Sequence, residues 1–291
     1  MKKDCRIAAI ILNYESRYST IRQSVELNTE SAIEPIVIDN SSDQVLRHWC
    51  QEQEVQYNDT GTNLGYAGGN NVGLKVAKKN GFEYGFILNP DVTIKNISSN
   101  QLLSRLDGNM VDIAFPDVIE SGNKIKEELP TIENKVLRAG GDLPPLPESS
   151  DEGIKYVDHG PGSAMIVRLS VLDDIGYLNE SFFMYGEEVE FCYRARLHGY
   201  RTAIIFDLTA VHSRNDELNP MSGFKMYYNL RNKFLIYELL FDKSLIYPSL
   251  IVGHIIKYTI QIIWYRNWNL LRPLLYGLLD GIRLKAGSRR Y

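Results

Sequence analysis

Three carboxylates crowd the segment Tyr185-Gly186-Glu187-Glu188-Val189-Glu190-Phe191-Cys192-Tyr193-Arg194, at what reads as a helix start. Glu190 and Arg194 form a favourable pair one turn apart, and acidic residues there complement the helix macrodipole. That is one reading of the cluster. The other is catalytic, because a carboxylate among like charges has a raised pKa and can act as a general base. A second acidic position, Asp91, follows the apolar run Tyr84-Gly85-Phe86-Ile87-Leu88 through Asn89-Pro90. A carboxylate held by a proline-fixed turn suits a divalent cation, which would neutralise charge developing on a diphosphate leaving group. A plain polar turn is the alternative. Asp39, after Pro35-Ile36-Val37-Ile38, can accept hydrogen bonds from a base or ribose, or from its own Asx turn. His212 lies just beyond the apolar run 202–206 and, alone, reads as structural before it reads as a metal ligand. The stretch Gly61-Thr62-Asn63-Leu64-Gly65-Tyr66-Ala67-Gly68-Gly69-Asn70-Asn71 is rich in residues that tolerate positive φ, so it reads as a loop that lets backbone approach a ligand. It lacks the G-x-G-x-x-G spacing and follows no buried strand directly, which speaks against a dinucleotide site.

These residues share a setting, since most of them follow short apolar runs with the character of buried parallel strands. Ile7 to Leu12 is the first such run and ends at Asn13-Tyr14; Ser16 or Ser19 can cap a following helix whose face carries Ile21 and Val25. Strand, helix and strand in succession make a βαβ unit, so an α/β fold with a mainly parallel sheet is expected, its ligands at the carboxyl ends of the strands. Residues 120–157, rich in Pro, Gly and charge, read as a loop over the mouth of the site. Order resumes with the strand Gly162-Ser163-Ala164-Met165-Ile166-Val167 and a helix over 187–198.

From Ser222 onward the pattern changes to long helices. Tyr227, Leu230, Phe234, Tyr237 and Phe241 form one apolar stripe, and Leu271, Leu274, Leu275, Leu278 and Ile282 a second. Residues 245–264 approach a membrane span in hydropathy, yet Pro248, His254, Lys257 and Gln261 interrupt them, so a surface or core helix is preferred. The division expected is 1–221, with nucleotide binding over about 1–115 and an acceptor side over about 158–221, then a helical extension, 222–291. That extension holds eleven Lys and Arg against Glu238, Asp242 and Asp280, a surplus of eight in a chain whose net charge is −4. Its candidate partners are an anionic membrane surface, the body of the protein, or a second copy in a homodimer. Three dispersed cysteines, and no signal-peptide pattern at the N-terminus, suggest a reducing, cytoplasmic setting without disulfides.

Taken in order, these segments resemble family 2 glycosyltransferases, most of all the rhamnosyltransferase-like branch. The resemblance covers roughly 7–240 and rests on Asn13-Tyr14, V-I-D-N-S at 37–41, N-L-G-Y-A-G-G-N-N at 63–71 and L-N-P-D at 88–91. It continues with G-S-A-M at 162–165, F-F-M-Y-G-E-E-V-E-F-C-Y-R at 182–194, Val211-His212 and Y-Y-N-L-R-N at 227–232. It implies a GT-A fold and a nucleoside diphosphate sugar donor, dTDP-rhamnose first and a UDP-sugar (galactofuranose or hexosamine) second. The acceptor implied is a lipid-linked saccharide of a bacterial surface polysaccharide, reached at the inner face of the plasma membrane; no nucleic acid is implied. Asn13, Tyr14, Asp39, Asn63, Gly65, Gly69, Asn70, Asn89 and Asp91 would line the donor, with Asp91 and His212 holding Mn2+ or Mg2+. Gly162, Ser163, Ala164 and Arg231 would border the acceptor, and Glu188, or its neighbour Glu187, would be the base of an inverting displacement. The chain departs from many relatives in reading Glu-Glu-Val-Glu for Glu-Asp-Val-Asp and Asn-Pro-Asp for a D-x-D motif. An inactive, transferase-like binding module is the reading from another class; an oxidoreductase lacks any cofactor fingerprint.

Overall fold

The computed structural model describes residues 6–28, 33–95, 99–120, 123–124, 143–148, 153–212, 222–240 and 246–288. Most of the loop expected over 120–157 lies outside them, as do Cys5, Phe241, Lys243, Arg289 and Arg290. β1 (Ile7–Asn13) occupies the middle of the first half of the sheet. Its side chains alternate, Ile7, Ala9 and Ile11 entering one apolar core and Ala8 and Ile10 another, so helices cover both faces.

α1 (Arg17–Asn28) follows, but Ile21 and Val25 do not form its inner face. Val25 is exposed, whereas Thr20, Gln23, Ser24 and Leu27 are buried. The cause is hydrogen bonding: Thr20 Oγ1 donates to Asn13 Oδ1 at 3.0 Å, and Gln23 Nε2 to the carbonyls of Asn89 and Val92 at 3.0 and 2.7 Å. The helix is a polar strut between two strand ends. β2 (Ile33–Asp39), α2 (Gln44–Glu52) and β3 (Gln56–Asp59) come next, and β3 extends the parallel sheet at its edge. A strand therefore does precede the glycine-rich stretch, and that stretch is no loop beyond Leu64. α3 (Gly65–Lys79) runs through it. A Cβ on Gly69 would strike Leu12, and one on Gly73 would strike Ile10, so both glycines bring α3 down onto the sheet.

β4 (Tyr84–Leu88) is parallel to β1, and β5 (Val92–Lys95) leaves for the opposite edge of the sheet. After α4 (Ser99–Gly108) come β6 (Ile113–Glu120), the short β7 (Asn123–Lys124) and β8 (Ile154–Tyr156). β9 (Ala164–Arg168) runs antiparallel between β4 and β6. α5 (Val171–Ile175), a 3-10 turn over Glu180–Phe182 and α6 (Glu187–Leu197) lead to β10 (Thr202–His212). The sheet order is β3-β2-β1-β4-β9-β6-β10-β5, mixed and mainly parallel in its first half.

α7 (Gly223–Leu240), α8 (Ile246–Trp264), a 3-10 turn over Trp268–Leu270 and α9 (Leu271–Ile282) complete the chain. The first apolar stripe is buried as expected, with Leu230, Phe234 and Tyr237 sharing a core with Ile251, Ile262, Leu274 and Phe182. The second stripe divides, because Leu274 is buried while Leu271, Leu275 and Ile282 are exposed. α9 packs on α7 through Gly277 and Gly281, where a Cβ would meet the Tyr227 carbonyl and the Phe234 ring. Among the described residues no helix is long and apolar enough to cross a membrane. Cys50 and Cys192 are free and buried; burial first, then the charge of Asp39, pushes the Cys50 thiol up to about 12.

Candidate active site

The strand ends of the first half gather Asn13, Asp39 and Asp59 in one register row. Asn13 Nδ2 donates to Asp39 Oδ1 at 2.9 Å. Asp39 also receives the Ser41 amide and hydroxyl, the Asp43 amide and the Tyr57 hydroxyl, all within 2.6–2.9 Å. Burial alone would raise the Asp39 carboxyl, but the bonds from Ser41, Tyr57 and Asn13 outweigh it and hold the pKa below the usual value. Both residues have no exposed surface. Their polar atoms are used inside the protein: Asp39 anchors an Asx turn and Asn13 ties it to α1. The residues they position do face the cleft, namely Tyr14, Ser16, Asn40 and Asn63. Asn63 Oδ1 accepts from Gly65 N at 2.9 Å, and Gly65 lines the cleft as well. Gly69 and Asn70 are buried within α3, the first against Leu12, the second donating to the Tyr66 carbonyl, so neither reaches a donor.

Asn89, Pro90 and Asp91 line the same cleft. β10 carries His212 to this point through a break in register between Ile205 and Thr209, after which its end pairs with β5 and sets His212 opposite Val92. His212 Nε2 lies 3.1 Å from Asp91 Oδ2; the imidazole is buried and the carboxylate half exposed. Adjacent ligands of an octahedral ion with bonds of about 2.1 Å stand about 3.0 Å apart, so the pair fits one metal edge. Further, none of the described residues lining the cleft is a lysine or arginine. The N-terminus of α3 offers little to an anion, because its Tyr66 and Ala67 amides donate to the Phe183 carbonyl. Among the described residues no third His, Cys, Asp or Glu joins this pair.

The acidic cluster resolves into unlike members. Glu190 pairs bidentately with Arg194 at 2.8 Å, as its spacing implies. Glu187 is buried with an Oε2 that has no partner, and burial first, then the Glu188 charge, lifts its pKa well above the ordinary value. Glu188 is half-buried, accepts from Gly186 N at 3.1 Å and lies against Gly162. Tyr66 links this cluster to the cleft: its hydroxyl donates to the Gly162 carbonyl, and its phenol is raised by burial and then by Glu187, Glu188 and Asp91. Ser163 O accepts from Asn89 N at 2.9 Å, bringing Gly162 and Ser163 beside the Asp91 turn. Ala164 is paired with Leu88 in the core, and this removes it from the acceptor border. Arg231 is removed too. Its guanidinium is fully buried and donates to the carbonyls of Ser181, Phe182, Lys285 and Gly287, so it clamps the chain end to the 181–182 turn.

Sequence reasoning missed the aromatic wall. Phe183, Met184, Phe224 and Tyr228 close a cleft of about 510 Å3. Phe183 stacks on Tyr228 with centroids 5.3 Å apart, and Phe224 leans on Tyr228 at 4.7 Å. Phe183 sits at φ 62, ψ −55 in a γ-turn closed by Met184 N donating to Phe182 O at 2.7 Å. That hand of γ-turn is strained, and such strain collects at ligand sites. Its signal in the sequence is the pair of aromatic runs Phe182-Phe183-Met184-Tyr185 and Tyr227-Tyr228, which stand beside the charged segment.

Comparison with known proteins decides what this cleft belongs to. Residues 9–175 match the description Glycosyl transferase family 2. The chain is a family 2 glycosyltransferase. The low-salt glycan biosynthesis hexosyltransferase Agl10 of Haloferax volcanii is 33% identical to this transferase over 97% of the chain and 92% of its own length. The dTDP-rhamnosyl transferase RfbF of Shigella flexneri is 24% identical over 98% of both. Among solved structures, S. aureus TarS 1-349 in complex with UDP-GlcNAc shares the fold, with a TM-score of 0.59 at 14% identity over 96% of this chain and 81% of that one. The GT-A architecture of this family 2 enzyme agrees with the expectation drawn from its sequence.

Proposed function

We propose that the protein transfers a hexosyl unit, with inversion, from a nucleoside diphosphate sugar to a lipid-linked glycan precursor at the cytoplasmic face of the membrane. The 510 Å3 cleft supports this, with Asp91–His212 on one wall, Tyr66 and Gly162 leading to Glu188, and no basic side chain among its described lining residues. Asp91 and His212 would hold Mn2+ or Mg2+, and the ion supplies neutralisation of the departing diphosphate. Tyr14, Ser16, Asn40 and Asn63 orient the donor at the strand ends, while Phe183 and Tyr228 exclude water from the sugar. Glu188 accepts the proton of the attacking acceptor hydroxyl as its oxygen bonds to the anomeric carbon and the bond to the diphosphate oxygen breaks. Burial first, then the Glu188 charge, biases Glu187 toward its neutral form, and Glu188 is the part-exposed member of the pair that lies against Gly162. Residues 1–221 would form the catalytic unit and 222–291 its helical extension.

The donor we put first is dTDP-rhamnose, which agrees with the name of RfbF. A UDP-sugar, hexose or hexosamine, is the second reading, favoured by the UDP-GlcNAc held by TarS. Binding to a panel of dTDP-, UDP- and GDP-sugars, with and without Mn2+, tests both. Failure of every sugar nucleotide to bind with metal present would leave an inactive binding module as the answer.

A further inference from the structure

The extension has an inner face that packs and an outer face that no described residue covers. α8 is apolar on both. Ile251, Tyr258 and Ile262 are buried against the helices beneath, while Val252, Ile256, Ile260 and Ile263 each leave more than half their surface in solvent. Their spacing of three and four places the second set on one outward stripe. α9 repeats the arrangement, with Leu274 inside and Leu271, Leu275, Leu279 and Ile282 outside. Between the two helices stand Trp264, Tyr265 and Trp268, exposed by 79%, 64% and 59%. Most of the large apolar side chains exposed among the described residues fall between Val252 and Leu284.

Charge selects the occupant. From 246 to 288 the basic residues are Lys257, Arg266, Arg272, Arg283 and Lys285, all exposed, and the single acidic residue is Asp280. Asp280 is buried, accepts from the Tyr227 hydroxyl at 2.7 Å and pairs with Lys285 at 3.7 Å, so the layer offers solvent four cations besides Lys285 and no exposed carboxylate. A second copy meeting this face about a two-fold axis would set like charges against each other. Indole and phenol rings beside cations on an apolar helix face instead suit the headgroup level of an anionic bilayer. Among the described residues no helix is long and apolar enough to span one, so the layer would lie in the interface.

We propose that the outer face of α8, the Trp268–Leu270 turn and α9 is an interfacial anchor for an anionic lipid surface. α7 joins this anchor to the active site, packing on α9 through Gly277 and Gly281 while carrying Phe224 and Tyr228 into the cleft wall. The cleft thus stands one helix away from the lipid. The purpose of the anchor rests on the lipid-linked acceptor proposed above; the anchoring itself does not.

The test uses the full chain and vesicles of phosphatidylcholine alone or with phosphatidylglycerol added. Binding should favour the anionic vesicles and shift the emission of Trp264 and Trp268 to shorter wavelength. Lys257→Glu with Arg272→Glu should weaken that binding by about 30-fold or more, since each cation near the surface counts for roughly fivefold. Ile260→Asp with Leu275→Asp should abolish it, while thermal stability and sugar-nucleotide binding stay unchanged because all four positions are exposed. Equal binding to both vesicle types, or indifference to both double substitutions, would overturn the anchor. So would a wild-type dimer, free of vesicles, that the Ile260/Leu275 pair converts to monomer. Vesicle binding without any transfer to a lipid-linked acceptor would keep the anchor and discard the proposed acceptor.

Discussion

Replacing Glu187 by glutamine separates two adjacent carboxylates that the sequence leaves tied. In the folded chain Glu187 is 3% exposed and holds its proton well above the ordinary carboxylate range. In the unfolded chain it titrates at about 4.3. Between those values the folded state binds one proton more than the unfolded state, so stability falls as pH rises, by up to about 1.4 kcal/mol per unit. From about pH 5 upward the wild type therefore loses stability through this one group until the pH passes its raised folded-state pKa. Glutamine has the same shape and no proton to lose, and the loss disappears. Urea unfolding of both proteins at several pH values reads the difference, which should grow with pH in favour of Glu187→Gln. Its turnover should stay near wild type, whereas Glu188→Gln should lower turnover by about 10²–10⁴-fold with donor affinity unchanged. Stability curves that run parallel, or a Glu187 variant that loses turnover while the Glu188 variant keeps it, would refute the assignment.

Asp91→Asn should raise the barrier by about 3–4 kcal/mol and His212→Ala by less, measured as kcat with saturating donor and Mn2+; turnover in EDTA equal to that in Mn2+ would contradict the metal role. Arg231→Met should lower stability by about 3 kcal/mol or more by leaving the carbonyls at 181–182 and 285–287 unpaired, yet leave the KM for acceptor unaltered below the new Tm. Gly73→Ala should cost about 1–3 kcal/mol in urea unfolding, because its Cβ meets the rigid Ile10 side chain.

The strands were legible because a parallel strand covered on both faces must be an unbroken apolar run, as in Ile7–Leu12 and Tyr84–Leu88. Helices that spend their inner faces on hydrogen bonds were not. α1 buries Thr20 for a partner on β1 and Gln23 for carbonyls in the turn after β4 and at the start of β5, while Ser24 bonds back to Thr20 within the helix, and no periodicity of apolar residues records that. The start of α3 was hidden for a similar reason, since its first amides are satisfied by Phe183, far along the chain. At the site, Asp91 lies 3.1 Å from His212, and Glu188 lies against Gly162. Asn13, Asp39, Asn70, Ala164 and Arg231 read as contacts because they adjoin motifs, whereas in the structure all five are buried.

The turn between β4 and β5 sets a length limit on the enzyme. Only Asn89, Pro90 and Asp91 join two strands that lie on opposite sides of β9, β6 and β10 in the sheet order. Four Cα steps reach at most about 14 Å, so the tip of β10 must curl back over the sheet for β5 to pair with it. Asp91 sits inside that link, in a turn closed by Val92 N donating to Asn89 O at 3.1 Å, with its carboxylate 3.1 Å from the His212 imidazole. One residue inserted between Leu88 and Val92 would break this closed turn and move the carboxylate away from its imidazole, so the length of the turn constrains the pair as firmly as the identity of the residues around it.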